Sequence, residues 1–288
     1  MELVGTTLGV NLTTAYKRDL LLFDRIAWSG MLGGAASPKT EIALSDLNRL
    51  ADLGLIFHID PNHLATRPQA DAEYGKATYW MRLGMEGMKV RQPEGHADLV
   101  ADDSSRELIR SGFDAAARAL AIYLRADRDL NAVPILGKWT NWSSQEPADR
   151  SIVIRIVIEG LPLPAASHSL DEILAFRTES RSRGLVQGLR VWMNEMASGA
   201  LTPAEVSDKL EYLLIQYEQT LNLEKMSRDT TWLETFIFPA KGVTEYLSTL
   251  GSKLFTVRRA EIALMEVEMA APGREVAYIV KARERFGA

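Results

Sequence analysis

SIVIRIVIEG, from Ser151 to Gly160, followed by LPLP from Leu161 to Pro164, is the stretch on which the fold turns. Six of the eight residues from Ser151 to Ile158 are Ile or Val. A run of that kind reads as a strand covered on both faces. Pro162 and Pro164 cannot donate to a ladder, so the strand ends in a turn, and Ser169-Leu-Asp-Glu172 then supplies a capping box at the start of a helix. Ile173, Phe176, Leu185, Leu189, Trp192 and Met196 fall along one face of a helix of about 28 residues, which Gly199 stops. Thr202-Pro203-Ala204-Glu205 is a second capping box with proline at the first helical position. Val206, Leu210, Leu213, Tyr217 and Leu221 mark the buried face of the helix it opens. The short SGAL turn between the two helices makes them an antiparallel pair, and Gly184 and Gly188 would permit close helix approach or a bend.

Working towards the amino terminus, GKWTNWSSQEPADR from Gly137 to Arg150 is polar and interrupts the periodic pattern. It divides the chain into an N-terminal α/β region, residues 1–150, and a strand-plus-helical C-terminal region, residues 151–288. One intertwined domain is the alternative, with the Ile-rich strand rejoining the N-terminal sheet. Asp19 to Trp28 (DLLLFDRIAW) reads as a buried strand running into the loop SGMLGGAAS. Ser37-Pro38 opens a helix whose apolar face is Ile42, Leu44, Leu47, Leu50 and Leu53, with Gly54 as its stop. Leu55 to Asp60 (LIFHID) completes a strand–helix–strand unit with parallel strands. From Gln69 to Val90 the composition is helical with Tyr79, Trp80, Leu83 and Met88 as anchors, interrupted by Gly75, Gly84 and Gly87. A clearer helix covers Ser104 to Asp129. Beyond the second capped helix, TWLETFIF is strand or helix, VTEYLSTL and RRAEIALMEVEM are helical, and REVAYIVKARERF is a final helix. The fold class that follows is α+β, predominantly helical, with a small N-terminal strand–helix–strand sheet and a C-terminal pair of long antiparallel helices.

The 288 residues, 47% apolar and 25% charged, have the composition of a globular protein. With no cysteine there is no disulfide, thiol nucleophile or cysteine-ligated metal, and a reducing cytoplasm is the expected location. The first residues lack the basic start and apolar run of a secretion signal, and no stretch of about 18 apolar residues predicts a membrane span. A net charge of −5 and a pI near 5.6 argue against a surface built throughout to neutralise phosphates. Arg177, Arg181, Arg183 and Arg190, and the terminal Lys281, Arg283 and Arg285, are interspersed with acids and read as solvated helix faces.

LLFDRI near the start, LPLP followed by SLDEILAFRTES, and REVAYIVKARERF at the end together resemble uncharacterised families of bacterial proteins, in which a buried strand and proline turn precede an Asp/Glu-Ile-Leu-x-Phe-Arg helix. The resemblance implies a bacterial origin and a mixed fold. It implies no activity and no catalytic residue.

Candidate chemistry gathers at the predicted strand ends. Asp24 and Asp60, at the carboxyl ends of two parallel strands, would hold Mg²⁺ or Mn²⁺ against phosphate oxygens as nucleases and phosphoryl-transfer enzymes do, with Asp19 or Glu41 as a third ligand. His58, Asp60 and His63 in HIDPNH bring further potential metal ligands close in sequence, as do Glu94, His96 and Asp98. Turn formation and ion pairing account for the same aspartates, and His168 belongs to the turn before Ser169. SGMLGGAAS follows a strand and precedes a helix, the context for cradling phosphate, but matches neither nucleotide-binding glycine spacing. No GxSxG elbow occurs. ALSDLNRLADLGLIFHID also resembles the helix and strand of a winged-helix DNA-binding module, with Asn48, Arg49 and Arg67 facing nucleic acid among four acids.

Trp139 and Trp142 in their polar loop are candidate anchors for a protein partner, and Leu214 and Ile215 would place a second apolar surface on the outer face of the helix pair. The function expected is interaction or assembly as one component of a multiprotein system, with a protein partner or a second copy of the chain. A metal-dependent nuclease or phosphoryl-transfer enzyme is the first alternative and a winged-helix-like DNA-binding protein the second.

Overall fold

The computed structural model describes residues 2–8, 15–30, 38–87, 89–91, 98–100, 102–137, 146–235 and 270–287. Strand β1 (Val4–Thr7) is followed by α1 (Ala15–Leu22), β2 (Arg25–Trp28), α2 (Pro38–Asp52) and β3 (Ile56–His58). Then come α3 (Pro68–Glu86), β4 (Lys89–Arg91), β5 (Asp98–Val100), α4 (Asp103–Arg128) and β6 (Ala132–Pro134). The remainder is helical: α5 (Arg150–Gly160), α6 (Leu170–Thr178), α7 (Ser180–Ser198), α8 (Pro203–Thr235) and, after a 3₁₀ turn at Arg274–Val276, α9 (Ala277–Phe286).

The four-stranded sheet runs β3-β2-β1-β6 with all strands parallel, and β4 and β5 form a separate antiparallel hairpin. The predicted strand–helix–strand unit is present as β2-α2-β3, with Ile26 opposite Ile56 and Trp28 opposite His58. Gly54 stops α2 as read, in the left-handed conformation (φ 68°) that suits a residue without a side chain. Along the strands the side chains alternate: Leu3, Ile26 and Val133 join one hydrophobic cluster, while Val4, Ala27 and Ala132 join another beneath α4. The first of these clusters continues without a break through α5, α6, α7, α8 and α9, across residue 150.

The Ile-rich stretch is a helix rather than a strand. An uninterrupted apolar run reports burial on all sides, which a central helix satisfies as well as a central strand does. In α5 every residue from Val153 to Ile158 is buried, and the Asp149 carboxylate accepts from the Ile152 amide at 2.8 Å as its N-cap. The one charged residue inside, Arg155, donates to Glu159 at 2.6 Å, a spacing of four that only a helix brings together. The segment read as one strand from Asp19 to Trp28 likewise divides: α1 carries the chain to Leu22 and only Arg25–Trp28 pairs.

Both capping boxes form. Ser169 and Glu172 exchange hydrogen bonds at 2.7 and 3.2 Å, and Thr202 and Glu205 at 2.8 and 3.3 Å. The predicted 28-residue helix breaks at Glu179, whose ψ of 133° separates α6 from α7. Neither α7 nor α8 has the other as its main neighbour: each packs on α5 and on the C-terminal turn, so the expected antiparallel seam gives way to a shared bed. Arg177 and Arg190, read as solvated, are largely buried and turn inward.

Candidate functional site

The order of strands reverses at β1. The crossovers through α1 and α2 carry the chain to β2 and β3 on one side, and the return through α4 places β6 on the other. In open parallel sheets the crevice outside the carboxyl ends of the strands at such a reversal is where ligands settle. On this chain that end of the sheet is finished by hydrogen bonds among β1, α4 and the segment after β6. The Thr6 hydroxyl donates to the Ala117 carbonyl at 2.7 Å, the Ile135 amide to the Thr6 carbonyl at 2.8 Å, and the Gly137 amide to the Asp114 carboxylate at 2.8 Å. Asp114 is only 6% exposed, so α4 holds a buried carboxylate against the loop that leaves β6.

Beside Asp114 lies a cavity of about 370 Å³ between α3 and α4, lined among others by Lys76, Trp80, Arg110, Asp114, Arg118 and Gly137. Lys76 is already paired with Glu73 at 2.7 Å. Arg118, half-buried one turn after Asp114, makes no hydrogen bond or ion pair with a described residue. Trp80 is held edge-on by Tyr79, with ring centroids 5.1 Å apart, and the two rings are 36% and 48% exposed. The helices beneath are locked together: α3 buries Ala70, Ala77 and Gly84, and a Cβ at Gly84 would stand 2.7 Å from the Ser105 carbonyl of α4.

Tyr79 and Trp80, read from the sequence as anchors of a buried face, are therefore on the surface. Small residues spaced by seven do the packing, a pattern eclipsed by the larger side chains around it.

The strand-end aspartates are not brought together. Asp24 precedes β2 rather than closing it, whereas Asp60 follows β3. In the observed register Asp60 stands level with Gly30, which puts the two about 20 Å apart along the strand direction. Asp24 accepts from the Leu3 amide at 2.7 Å and from Arg190 at 2.8 Å, with Arg177 at 3.9 Å. Asp60 caps a 3₁₀ turn, accepting from the Asn62 amide at 2.9 Å. His58 lies edge-on to Trp28 and His63 over Tyr123. No group of three His, Asp or Glu side chains close enough to share a metal ion occurs among the described residues. Glu94, His96, Trp139, Trp142 and the SGMLGGAAS loop from residue 31 lie outside the described residues, and so does the Glu41 side chain.

Two of the winged-helix candidates, Arg49 and Arg67, also have partners. Arg49 grips Asp171 through two hydrogen bonds of 3.0 and 2.5 Å, holding that carboxyl below the usual carboxylate range, and Arg67 pairs with Asp127 at 2.7 Å. Helix α2 crosses between parallel strands, and β3 is an edge strand of the main sheet. Of the outer residues on α8, Ile215 is 46% exposed but Leu214 is buried, one-residue neighbours being about 100° apart on a helix.

Asp19, the remaining candidate, sits in α1 with one carboxylate oxygen shut away from solvent and unpaired. Burial pushes its carboxyl up to about 6, against the pull of Arg18 and Arg155. A folded-state value above the unfolded one means that the fold holds this proton more tightly, so stability declines as pH rises from about 4 to about 6. Asp19→Asn removes that decline. Measured by urea unfolding, the stability of the variant relative to the parent should rise by up to about 3 kcal/mol between pH 4 and pH 7. A difference that stays flat across the window would show that Asp19 titrates normally.

Among the described residues no helix is long and apolar enough to cross a membrane. No protein-family model, curated protein or solved structure matches the chain.

Proposed function

We propose that the chain is an interaction or assembly component, with the outer face of α3 as its docking element. The observation that carries this reading is the Tyr79–Trp80 pair: two large aromatic rings in mutual contact, exposed on a helix whose opposite face is clamped to α4 through Ala77, Gly84 and Gly112. Tyr and Trp in a fixed orientation contribute large contact area at low entropic cost, which is why they dominate the energetics of protein interfaces. The second exposed apolar group, Val191 on α7 with Tyr212 and Ile215 on α8, is more scattered and has no comparable ring pair. The phosphoryl-transfer alternative needs Asp24 and Asp60 at the same end of the strands, and they flank opposite ends of the neighbouring β2 and β3.

A photo-crosslinking amino acid in place of Tyr79, introduced in the host cell, should trap one dominant protein, either another protein or a second copy of the chain. Trp80→Ala should reduce that adduct at least tenfold while leaving the circular dichroism spectrum unchanged. Trapping no more protein than the same probe at Lys209, exposed on α8, would remove the reading.

A further inference from the structure

We infer that the cavity between α3 and α4 binds a small organic anion carrying a flat ring, of the size and chemistry of a 5′-mononucleotide, with the anion on Arg118 and the ring against Trp80. Three independent features converge there. The first is position: the cavity opens where β6 ends, on the carboxyl side of the sheet and beside the reversal of strand order at β1. The second is size, since about 370 Å³ falls in the range of sites for small ligands and is too small for a folded partner or a dinucleotide in full.

The third is charge. Of the three cations lining the cavity, Lys76 is paired with Glu73 and Arg110 has an interaction of its own. Asp114 is turned to the Gly137 amide and is nine-tenths buried, so it forms part of the fixed wall. Arg118 remains: it lines the cavity, is half-buried, and has no hydrogen bond or ion pair among the described residues. A guanidinium is always charged at neutral pH, presents a planar fork of donors, and matches phosphate or carboxylate oxygens in pairs. Partial burial raises the strength of such a contact, because less water competes for either ion. Trp80 supplies a broad π surface, already braced by Tyr79, for stacking a heterocyclic ring. Arg118 and Trp80 come from two helices that the close contacts at Gly84 and Gly112 hold in fixed relation, so the two halves of the site are preorganised.

This site shares Trp80 with the proposed docking face of α3 but has Arg118 to itself, so a folded Arg118→Gln protein tests it without touching the docking pair. Isothermal titration calorimetry with AMP, GMP, CMP and UMP, each up to about 1 mM, is expected to give one-site binding by at least one of them, with a Kd on the order of 10–100 µM. Adenosine or the matching nucleoside, which lacks the anion, should bind at least tenfold more weakly. Arg118→Gln and Trp80→Ala should each weaken the mononucleotide at least tenfold while retaining the parental circular dichroism spectrum. Failure of all four mononucleotides to bind, or binding unchanged in a folded Arg118→Gln variant, overturns the assignment. Equal affinity for nucleoside and nucleotide would overturn it as well.

Discussion

Replacing Gly112 by alanine is expected to destabilise the fold by about 2–3 kcal/mol, although helix propensity alone favours alanine by about 1 kcal/mol. A Cβ at Gly112 would stand 2.5 Å from Cγ of Met81 and 2.9 Å from the Ala77 carbonyl, and at Gly84 2.6 Å from Ile109 and 2.7 Å from the Ser105 carbonyl. Methionine can swing away, but a helical carbonyl moves only if the helix does. Gly84→Ala should therefore cost as much or more, because it meets backbone at the shorter distance. The comparison is supplied by Gly184 and Gly188 in α7, where an added Cβ would meet nothing within 4 Å. Alanine at either of these should raise stability by about 0.5–1 kcal/mol, as propensity and a stiffer unfolded chain dictate. Urea unfolding midpoints at constant slope decide the matter. A Gly112→Ala protein with a raised midpoint would mean that α3 and α4 do not lie as close as described.

That pair of glycine sets shows where the sequence is legible and where it is not. Gly184 and Gly188 drew notice because they interrupt a strong amphipathic helix, yet their side of α7 faces open space. Gly84 reads from the sequence as weakening its helix and Gly112 draws no reading at all, yet the two are the contact itself. Close approach of two helices is a property of both partners at once. A periodicity search on one segment sees only that segment and favours large apolar residues. The same bias placed Tyr79 and Trp80 in the core.

Local signals fared better because they are closed within a few residues. The capping boxes at Ser169 and Thr202, the Gly54 stop and the parallel β2-α2-β3 unit are all present. The Ile-rich stretch failed because six β-branched residues announce burial without announcing conformation. Two cues to the helix were available in Asp149, placed to cap the Ile152 amide, and in the four-residue spacing of Arg155 and Glu159. Strands β1 and β6 left almost no trace. Each has three or four residues, and under α4 they need small side chains such as Thr6 and Ala132 rather than a hydrophobic run. Because β1 is where strand order reverses, missing it hid the crevice, and with it Asp114 and Arg118. These two are separated by one helical turn on α4 and otherwise look like ordinary surface charges. The partner role of Trp139 and Trp142 falls outside the described residues.

Arg190→Met is expected to lower stability by about 2–3 kcal/mol, and the loss follows from what α1 leaves unsatisfied. Helix α1 ends at Leu22 with its last carbonyls lacking intrahelical partners. Side chains from three later helices cover them: Tyr278 donates to the Leu21 carbonyl at 2.5 Å, Arg190 to Leu22 at 2.8 Å and Arg177 to Phe23 at 2.8 Å. Asp24 lies beside the same two guanidiniums, so the cations that close the helix terminus also neutralise the carboxylate. Methionine preserves the apolar length of Arg190 but leaves Asp24 and the Leu22 carbonyl short of a partner, and an unpaired buried group costs more than the bond itself contributed. Asp24 is about one-third exposed, which holds the loss below that of a fully buried pair. Asp24→Asn should cost about 1–2 kcal/mol, since the amide keeps an acceptor for Leu3 yet leaves two largely buried cations facing no charge. In a double-mutant cycle the two changes should couple by about 1–2 kcal/mol, as residues sharing one network do. The same proteins test the metal-binding reading of Asp24. A carboxylate that ligates Mg²⁺ or Mn²⁺ would make Tm rise with millimolar metal, and Asp24→Asn would abolish the rise. With its carboxylate committed to Arg190 and the Leu3 amide, the parent and the Asp24→Asn protein should respond to either metal alike. A metal-dependent rise confined to the parent would show that Asp24 can leave this network for an ion.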